Sequence, residues 1–246
     1  MAVAIITGAS RGLGRALARS LAAAGWDLVL DARTPAPLAA AATELGSSGS
    51  VRVVPGDVAD PAHRADLVAA AVALGGIDLL VNNASVLGPS PQPRLADYPL
   101  DVLAHVYAVN TLAPLALAQL ALAHLRERAG TIVDITSDAA VEPYEGWGGY
   151  GSSKAALEQI GNVLAAEEPR VHVYTFDPGD MRTRMHQEAF PGEDISDRPE
   201  PETVVPALLR LLHDAPESGR YRVTDFAPVP VTPVPVSPVP VSSVTS

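Results

Sequence analysis

The 246-residue sequence contains no cysteine and only one lysine, and charged residues make up 18% of it. Without cysteine the chain has no disulfide framework, no thiolate nucleophile and no cysteine-based metal site. The six histidines lack metal-ligand spacing, so we expect no metal centre. A net charge of −11 argues against nucleic acid or an anionic membrane surface as the main partner.

Long hydrophobic runs are also missing. The longest apolar run, residues 112–125, contains Pro114, Gln119 and His124, is too short to span a bilayer, and predicts a buried helix. The first ten residues lack the basic region and the cleavage site of a signal peptide. These absences favour a cytoplasmic protein that binds no membrane.

Short apolar, β-branched runs alternate with alanine-rich segments that are long enough for helices. The pattern predicts a helix over residues 13–24 and strands at residues 3–7, 28–30, 51–54, 77–81, 131–135 and 171–176. Nearly continuous apolar strands are typical of a parallel sheet covered on both faces. We therefore expect residues 1–226 to form one α/β domain, a Rossmann-like doubly wound sheet of about seven strands with helices on both faces.

Residues 227–246 differ from the rest in being rich in proline, valine and serine, with near-copies of a five-residue unit. Proline at this density excludes a helix or an inner strand and favours polyproline II. We expect a disordered tail. A ligand for a proline-recognition domain and an arm that packs on a neighbouring subunit are the alternatives.

The stretch TGASRGLG, residues 7–14, lies between the first predicted strand and the first predicted helix. Its glycines let the backbone turn sharply and approach a pyrophosphate, while the helix N-terminus offers free N–H groups and a positive dipole end. Many loops use glycine only for its backbone freedom. The position directly after a first strand favours nucleotide binding here.

Five further motifs follow in order along the chain. They are Asp57 in GDVAD, NNAS at residues 82–85, Asn110 in YAVNTLAP, Ser137 with the YxxxK pair Tyr150 and Lys154, and PGDMRT at residues 178–183. With the glycine-rich turn, they make residues 1–226 similar to the short-chain dehydrogenase/reductase family, in its compact single-domain branch. One departure is Ser85, which replaces the glycine of the family's NNAG.

The lone lysine belongs to a pattern that suits proton transfer. Tyr150 and Lys154 are four residues apart and share one helix face. A phenol has a pKa of about 10, and a nearby ammonium favours the phenolate. Ser137 can donate a hydrogen bond to a substrate oxygen as charge develops on it. The resemblance implies that Tyr150 is the proton donor, that Lys154 also holds the nicotinamide ribose, and that Asn110 carries a water of the proton relay.

The resemblance also implies a nicotinamide cofactor that several segments hold together. The predicted cofactor residues are Thr7, Gly8, Ser10, Arg11, Gly12, Leu13, Gly14, Ala32, Arg33, Asp57, Val58, Asn83, Ala84, Lys154, Pro178, Gly179, Met181 and Thr183.

The end of the second predicted strand reads LVLDAR and bears on the choice of cofactor. An acidic residue there selects NAD, whereas an arginine selects the 2′-phosphate of NADP. The family's NAD-selecting acid would fall at Ala32, and Arg33 with Arg11 would make a phosphate clamp. We therefore expect NADP(H) rather than NAD. Asp31 would reverse this choice if its side chain turned toward the ribose.

Together these features predict an NADP(H)-dependent oxidoreductase of the carbonyl reductase type, which exchanges hydride between nicotinamide and a carbonyl or secondary alcohol. A catalytically silent NADP-sensing regulator is the alternative, although the intact catalytic motif argues against it, and a sugar epimerase or dehydratase is a weaker one. The family pairs its subunits through helices that fall here at about residues 101–128 and 147–167. The resemblance therefore implies a homodimer or homotetramer.

Overall fold

A computed structural model describes residues 1–46 and 49–226. The predicted disordered tail at residues 227–246 lies outside the described residues and stays a prediction.

Seven strands form one sheet in the order β3-β2-β1-β4-β5-β6-β7, and every neighbouring pair is parallel. The strands are β1 (Val3–Ile6), β2 (Asp27–Ala32), β3 (Val51–Pro55), β4 (Leu79–Asn82), β5 (Thr131–Ile135), β6 (His172–Asp177) and β7 (Gly219–Arg222). The helices are α1 (Gly12–Ala23), α2 (Pro35–Thr43), α3 (Pro61–Ala73), α4 (Leu100–Tyr107), α5 (Ala113–Arg128), α6 (Gly148–Glu167), α7 (Arg184–Ala189) and α8 (Val205–Asp214). The predicted Rossmann-like doubly wound α/β fold is confirmed.

Alternating side chains of the strands feed two separate cores, one on each face of the sheet. On one face Ile6 and Leu30 pack against Leu17 of α1 and Leu208 of α8. On the other face, side chains such as Ile5 pack against α3, α5 and α6. Each fully buried leucine contributes about 1.5–3 kcal/mol relative to an exposed one. The two layers therefore fix the sheet whose strand ends carry the site.

The sequence predicted about seven strands but located only six of them, and β7 is the strand that was not located. Its residues, GRYR, are mostly polar and half-exposed, because the strand lies at the sheet edge and pairs only with β6. The predicted strand at 77–81 begins later, at Leu79, and the one at 171–176 begins at His172. Strand β7 has no continuous apolar run because it lies at the sheet edge. The later starts of the other two strands reflect the fraying of element ends.

Residues 112–125 are helical, as predicted, but the prediction that this helix is buried is wrong for one of its faces. Together α4, a π turn at Ala108–Leu112 and α5 make a continuous helical segment from Leu100 to Arg128. This segment is long and apolar enough to cross a membrane by length and composition, but half of its most apolar window is buried inside the fold. Leu112 and Leu120 are exposed on its other face. It is thus a core helix with one uncovered apolar face.

Candidate active site

A cleft of about 920 Å³ opens at the carboxyl ends of the strands, next to β1 and β4. The chain leaves these neighbouring strands toward opposite faces of the sheet, and such a switch point is where doubly wound folds bind nucleotides. All but three of the residues predicted for the site line the cleft. Thr7, Gly14 and Asn110 are the exceptions, and all three are buried beside it.

Thr7 and Gly14 hold the glycine-rich turn against the end of β4. The Thr7 hydroxyl accepts hydrogen bonds from the backbone N–H groups of Asn83 at 3.0 Å and Ala84 at 2.9 Å. Asn83 in turn donates through its side chain to the Thr7 carbonyl at 2.8 Å. A Cβ atom on Gly14 would lie only 2.5 Å from the Asn83 amide nitrogen. These residues therefore shape the turn from behind.

The front of the same turn offers unused hydrogen-bond donors. Helix α1 begins at Gly12 without a side-chain cap and without an acidic residue in its first turn. The first N–H groups of a helix have no partner within the helix and carry its positive dipole end. Gly12 has a φ of +56°, and a Cβ there would meet only a Thr183 methyl group, at 3.6 Å. This end of the cleft fits a pyrophosphate in both charge and space.

Two exposed arginines flank the end of β2. Neither Arg11 nor Arg33 forms an ion pair or a side-chain hydrogen bond with any residue in 1–46 or 49–226. Both line the cleft, as does Ala32, the last residue of β2. An unpaired guanidinium is a ready partner for a phosphate.

Asp31, by contrast, already has partners within the protein. It is buried, its carboxylate contacts His63 Nε2 of α3 at 2.7 Å, and it accepts from the Gly8 N–H at 3.4 Å. Burial raises the pKa of Asp31, and His63 opposes that rise. The sequence analysis missed this pair, because no spacing rule connects residues that only the fold brings together.

The predicted catalytic side chains converge on the floor of the cleft. Tyr150 and Lys154 lie on α6, are both buried, and have the lysine Nζ 5.7 Å from the centre of the tyrosine ring. Lys154 Nζ donates to the Ile135 carbonyl of β5 at 2.7 Å. Ser137 follows β5 and donates to the Asp138 carboxylate at 2.9 Å. Strand end and helix thus meet at one point, as predicted.

Asn110 lies in the π turn and is fully buried. Its side-chain oxygen accepts from the Val86 N–H at 2.9 Å and from the Ser85 hydroxyl at 3.1 Å. Its side-chain nitrogen donates to the Val86 carbonyl at 2.9 Å and to the Ser153 hydroxyl at 3.0 Å. The amide uses all four of its hydrogen-bonding positions, so a relay water would have to bind the backbone here. The predicted relay stays a prediction.

Burial dominates the electrostatics of the Tyr150 and Lys154 pair. It raises the pKa of Tyr150 well above the ordinary value, and Asp177 and Asp138 add to the rise. It lowers the pKa of Lys154 from 10.5 to about 8, against the pull of Asp134 and Glu158. The ammonium of Lys154 therefore does not bring the pKa of Tyr150 below its ordinary value in the protein on its own. Tyr150 is a neutral phenol with a proton to give.

Ser85 is a site residue that the sequence analysis undervalued. Its hydroxyl bonds to Asn110, and its hydrogen bonding lowers the pKa of Tyr150 against the effect of burial. The departure from the family's glycine was the available signal. The serine adds a hydroxyl beside the phenol that a glycine would not supply.

An aromatic wall rises above the phenol. The Trp147 ring centre lies 5.9 Å from that of Tyr150 and 5.8 Å from that of Phe190. Leu87, Met185 and other apolar side chains complete this cluster. The Trp147 ring is inclined at 74° to the Tyr150 ring and at 45° to the Phe190 ring, so the wall is an aromatic, apolar surface next to the proton donor.

The family model described as short chain dehydrogenase matches residues 2–194 of this sequence. The chain belongs to the short-chain dehydrogenase family. The motifs at the glycine-rich turn and around Tyr150 therefore identified the family correctly.

Several relatives and solved structures resemble this short-chain dehydrogenase. Mouse sepiapterin reductase is 36% identical over 200 residues, 76% of this chain and 77% of that protein. Benzil reductase, (S)-benzoin forming, from Bacillus subtilis is 30% identical over 92% of this chain and all of its own. An alcohol dehydrogenase from the archaeon Thermococcus sibiricus, complexed with 5-hydroxy-NADP, superimposes with a TM-score of 0.81 at 28% identity over 90% of this chain and 95% of its own. A short-chain dehydrogenase from Shigella flexneri, complexed with NADP, superimposes with a TM-score of 0.84 at 27% identity and covers 91% of this chain and 97% of its own.

Proposed function

We propose that this short-chain dehydrogenase is an NADP(H)-dependent carbonyl reductase whose substrates are ketones with an aromatic group beside the carbonyl. One observation carries the proposal. A buried neutral phenol, Tyr150, has the Ser137 hydroxyl and the Lys154 ammonium close by and the Trp147 ring centre 5.9 Å from its own. That arrangement supplies a proton to an oxygen and an aromatic surface to the group attached to the carbonyl.

The reaction divides between cofactor and protein. The nicotinamide supplies hydride to the carbonyl carbon when it is bound, and the uncapped start of α1 would hold its pyrophosphate. As the carbonyl oxygen gains negative charge, Ser137 exchanges its hydrogen bond to Asp138 for one to that oxygen, and Tyr150 transfers its phenolic proton to it. The products are the secondary alcohol and a tyrosinate, which the nearby Lys154 ammonium stabilises until a proton from solvent restores the phenol.

Three observations support NADP(H) over NAD(H). Arg11 and Arg33 line the cleft with no ion-pair partner among the described residues, and Asp31 is engaged by His63. Two similar solved structures carry NADP or a derivative of it. One charge-assisted hydrogen bond is worth about 1.5–3 kcal/mol, so two such bonds to a phosphate predict at least a 10²-fold preference for NADPH.

Paired titrations with NADPH and NADH test the cofactor choice. Arg33→Ala is expected to weaken NADPH binding at least tenfold and to leave NADH binding unchanged, because only NADPH carries the phosphate. Arg52→Ala is the matched control, since Arg52 is exposed on β3 outside the cleft. If the parent binds both cofactors equally, the two arginines do not select NADPH over NADH.

The substrate class is tested by following NADPH oxidation with aryl ketones, aryl diketones and aliphatic ketones of similar size. Aryl compounds are the first choice because Trp147 and Phe190 form the wall beside the phenol, and similar proteins are named as reductases of sepiapterin and of benzil. Trp147→Ala should raise KM for aryl ketones at least tenfold, and Trp147→Phe should retain most of the affinity because a ring remains. Turnover by the parent would exclude the silent regulator. A preference for aliphatic ketones would contradict the substrate class.

Family members commonly form oligomers, and the exposed apolar face of α5 and α6 supports a homodimer or homotetramer here. Leu115, Ile160 and Val163 line a shallow apolar groove between these helices. Light scattering after size-exclusion chromatography measures the mass of the oligomer, and Val163→Glu should lower that mass.

We also propose a cytoplasmic location, which cell fractionation tests.

A further inference from the structure

An arginine on the last strand reaches into the catalytic floor. Arg220 of β7 donates through Nε to Glu158 at 2.9 Å and through Nη2 to Asp177 at 2.9 Å, and Nη2 also contacts the Ser137 carbonyl at 3.4 Å. These acceptors belong to α6, the end of β6 and the loop after β5. A single planar guanidinium therefore joins three separate segments, which a point-charge ammonium cannot do with the same geometry.

Each acceptor of Arg220 is linked to a residue of the proposed reaction. Ser137 is the substrate-binding hydroxyl itself. Glu158 follows Lys154 by one helical turn and also accepts from the Thr136 hydroxyl at 2.6 Å. Asp177 accepts from the Gly179 N–H at 3.0 Å and so fixes the turn that follows β6. The contacts thus reach the serine loop, the lysine helix and the cofactor turn at once.

Burial makes the guanidinium hard to replace. Glu158 is 9% and Asp177 5% exposed, while the Arg220 side chain is 21% exposed. Buried carboxylates that lose their cation are left with uncompensated charge. Both charges act on the catalytic pair, because Asp177 raises the pKa of Tyr150 and Glu158 raises that of Lys154.

We propose that Arg220 is a positioning residue, which locks Ser137, the α6 segment around Lys154 and the Pro178–Gly179 turn into one arrangement and neutralises the two carboxylates beneath it. The catalytic part of this inference rests on the proposed function. The charged groups that face Tyr150 are Lys154, Asp138 and Asp177, and those that face Lys154 are Asp134 and Glu158. Arg220 contacts one carboxylate of each set.

The test compares R220Q with R222Q, whose arginine is on the same strand but exposed and in no side-chain hydrogen bond or ion pair among the described residues. Two measurements are made on each. The first is the pH dependence of kcat and KM. The second needs no turnover: Lys154 is the only lysine, so selective ¹³C labelling of lysine gives one NMR signal whose titration reports its pKa.

R220Q is expected to lower kcat at least tenfold with a smaller change in KM, and to shift the alkaline limb of the pH profile upward. Its Lys154 titration should move up by at least about half a pH unit, since Glu158, which raises the pKa of Lys154, is no longer compensated by Arg220. R222Q should match the parent in both. If R220Q does not fold, the E158Q variant replaces it in the test. E158Q should lower the pKa that the Lys154 titration reports.

Two results would overturn the inference. One is an R220Q protein whose Lys154 titration and pH profile equal those of R222Q while only its melting temperature falls, because Arg220 would then merely stabilise the fold. The other is an E158Q protein with an unchanged Lys154 titration. A parent with no turnover on any carbonyl compound would refute the proposed function, and the NMR titration would still test the positioning role.

Discussion

Replacing Lys154 with methionine is expected to stabilise the folded protein while removing the proposed activity. Lys154 is only 2% exposed, and burial lowers its pKa from 10.5 to about 8. One pH unit corresponds to about 1.4 kcal/mol, so keeping the charged form in the folded protein costs roughly 3 kcal/mol at neutral pH. Methionine has a similar length and no charge, so it avoids that cost, but it leaves the buried Ile135 carbonyl without its donor, which costs about 1–3 kcal/mol. The net gain is therefore up to about 2 kcal/mol, and for a chain of this size the melting temperature should rise by at most about 8 °C.

The effect has a defined pH dependence. Between pH 8 and 10.5 the unfolded chain holds a proton on Lys154 that the folded protein has released. Stability of the parent therefore rises with pH through this window, because stability increases with pH wherever the unfolded state binds more protons. The Lys154→Met variant lacks this titration. Its advantage over the parent should be largest below pH 8 and should close as the pH approaches 10.5.

Urea unfolding followed by circular dichroism, at several pH values from 6 to 10.5 and without cofactor, measures both quantities. Arg170→Met is the matched control, since it removes one positive charge from an exposed position. It should leave stability within about 0.5 kcal/mol of the parent. A Lys154→Met protein that is no more stable than the parent at pH 7, or whose advantage does not change with pH, would refute the reasoning.

Three further outcomes are expected. Tyr150→Phe should reduce turnover by roughly 10²- to 10⁴-fold with NADPH binding intact, since one oxygen is removed, and residual activity within about threefold of the parent would place the proton donor elsewhere. Lys154→Arg should lose most activity in the same assay although the charge is kept, because the larger fork cannot repeat the single bond to the Ile135 carbonyl. Ser85→Gly restores the family residue and should move the alkaline limb of the pH profile upward, because the hydroxyl that lowers the pKa of Tyr150 is gone. An unchanged profile would mean that Ser85 acts only as wall.

The sequence predicted what local patterns encode. The strand–turn–helix at residues 7–14 and the pair Tyr150 and Lys154 each rest on fixed spacing within one element, and the fold places them on the cleft as expected. The doubly wound parallel sheet follows from the alternation of strands and helices together with the family resemblance.

Contacts between elements that are distant in the chain could not be predicted from the sequence. His63 meets Asp31 across 32 positions, and Arg220 meets Glu158 across 62. No periodicity records such pairs, because each partner lies in a segment whose own pattern is complete without it. The pKa of Tyr150 depends on the fold for the same reason. It is raised first by burial, which the sequence does not give directly.

The single buried lysine has a practical consequence for chemical labelling. Reagents that acylate or alkylate lysine amines find no lysine on the surface of this protein, because the one that exists is at the floor of the cleft. Its lowered pKa leaves a substantial unprotonated, nucleophilic fraction near pH 8. The rate of lysine modification therefore measures access to the cleft itself. A bound ligand that covers the floor should protect the protein, so unlabelled compounds can be ranked by mass spectrometry without any knowledge of the reaction they undergo.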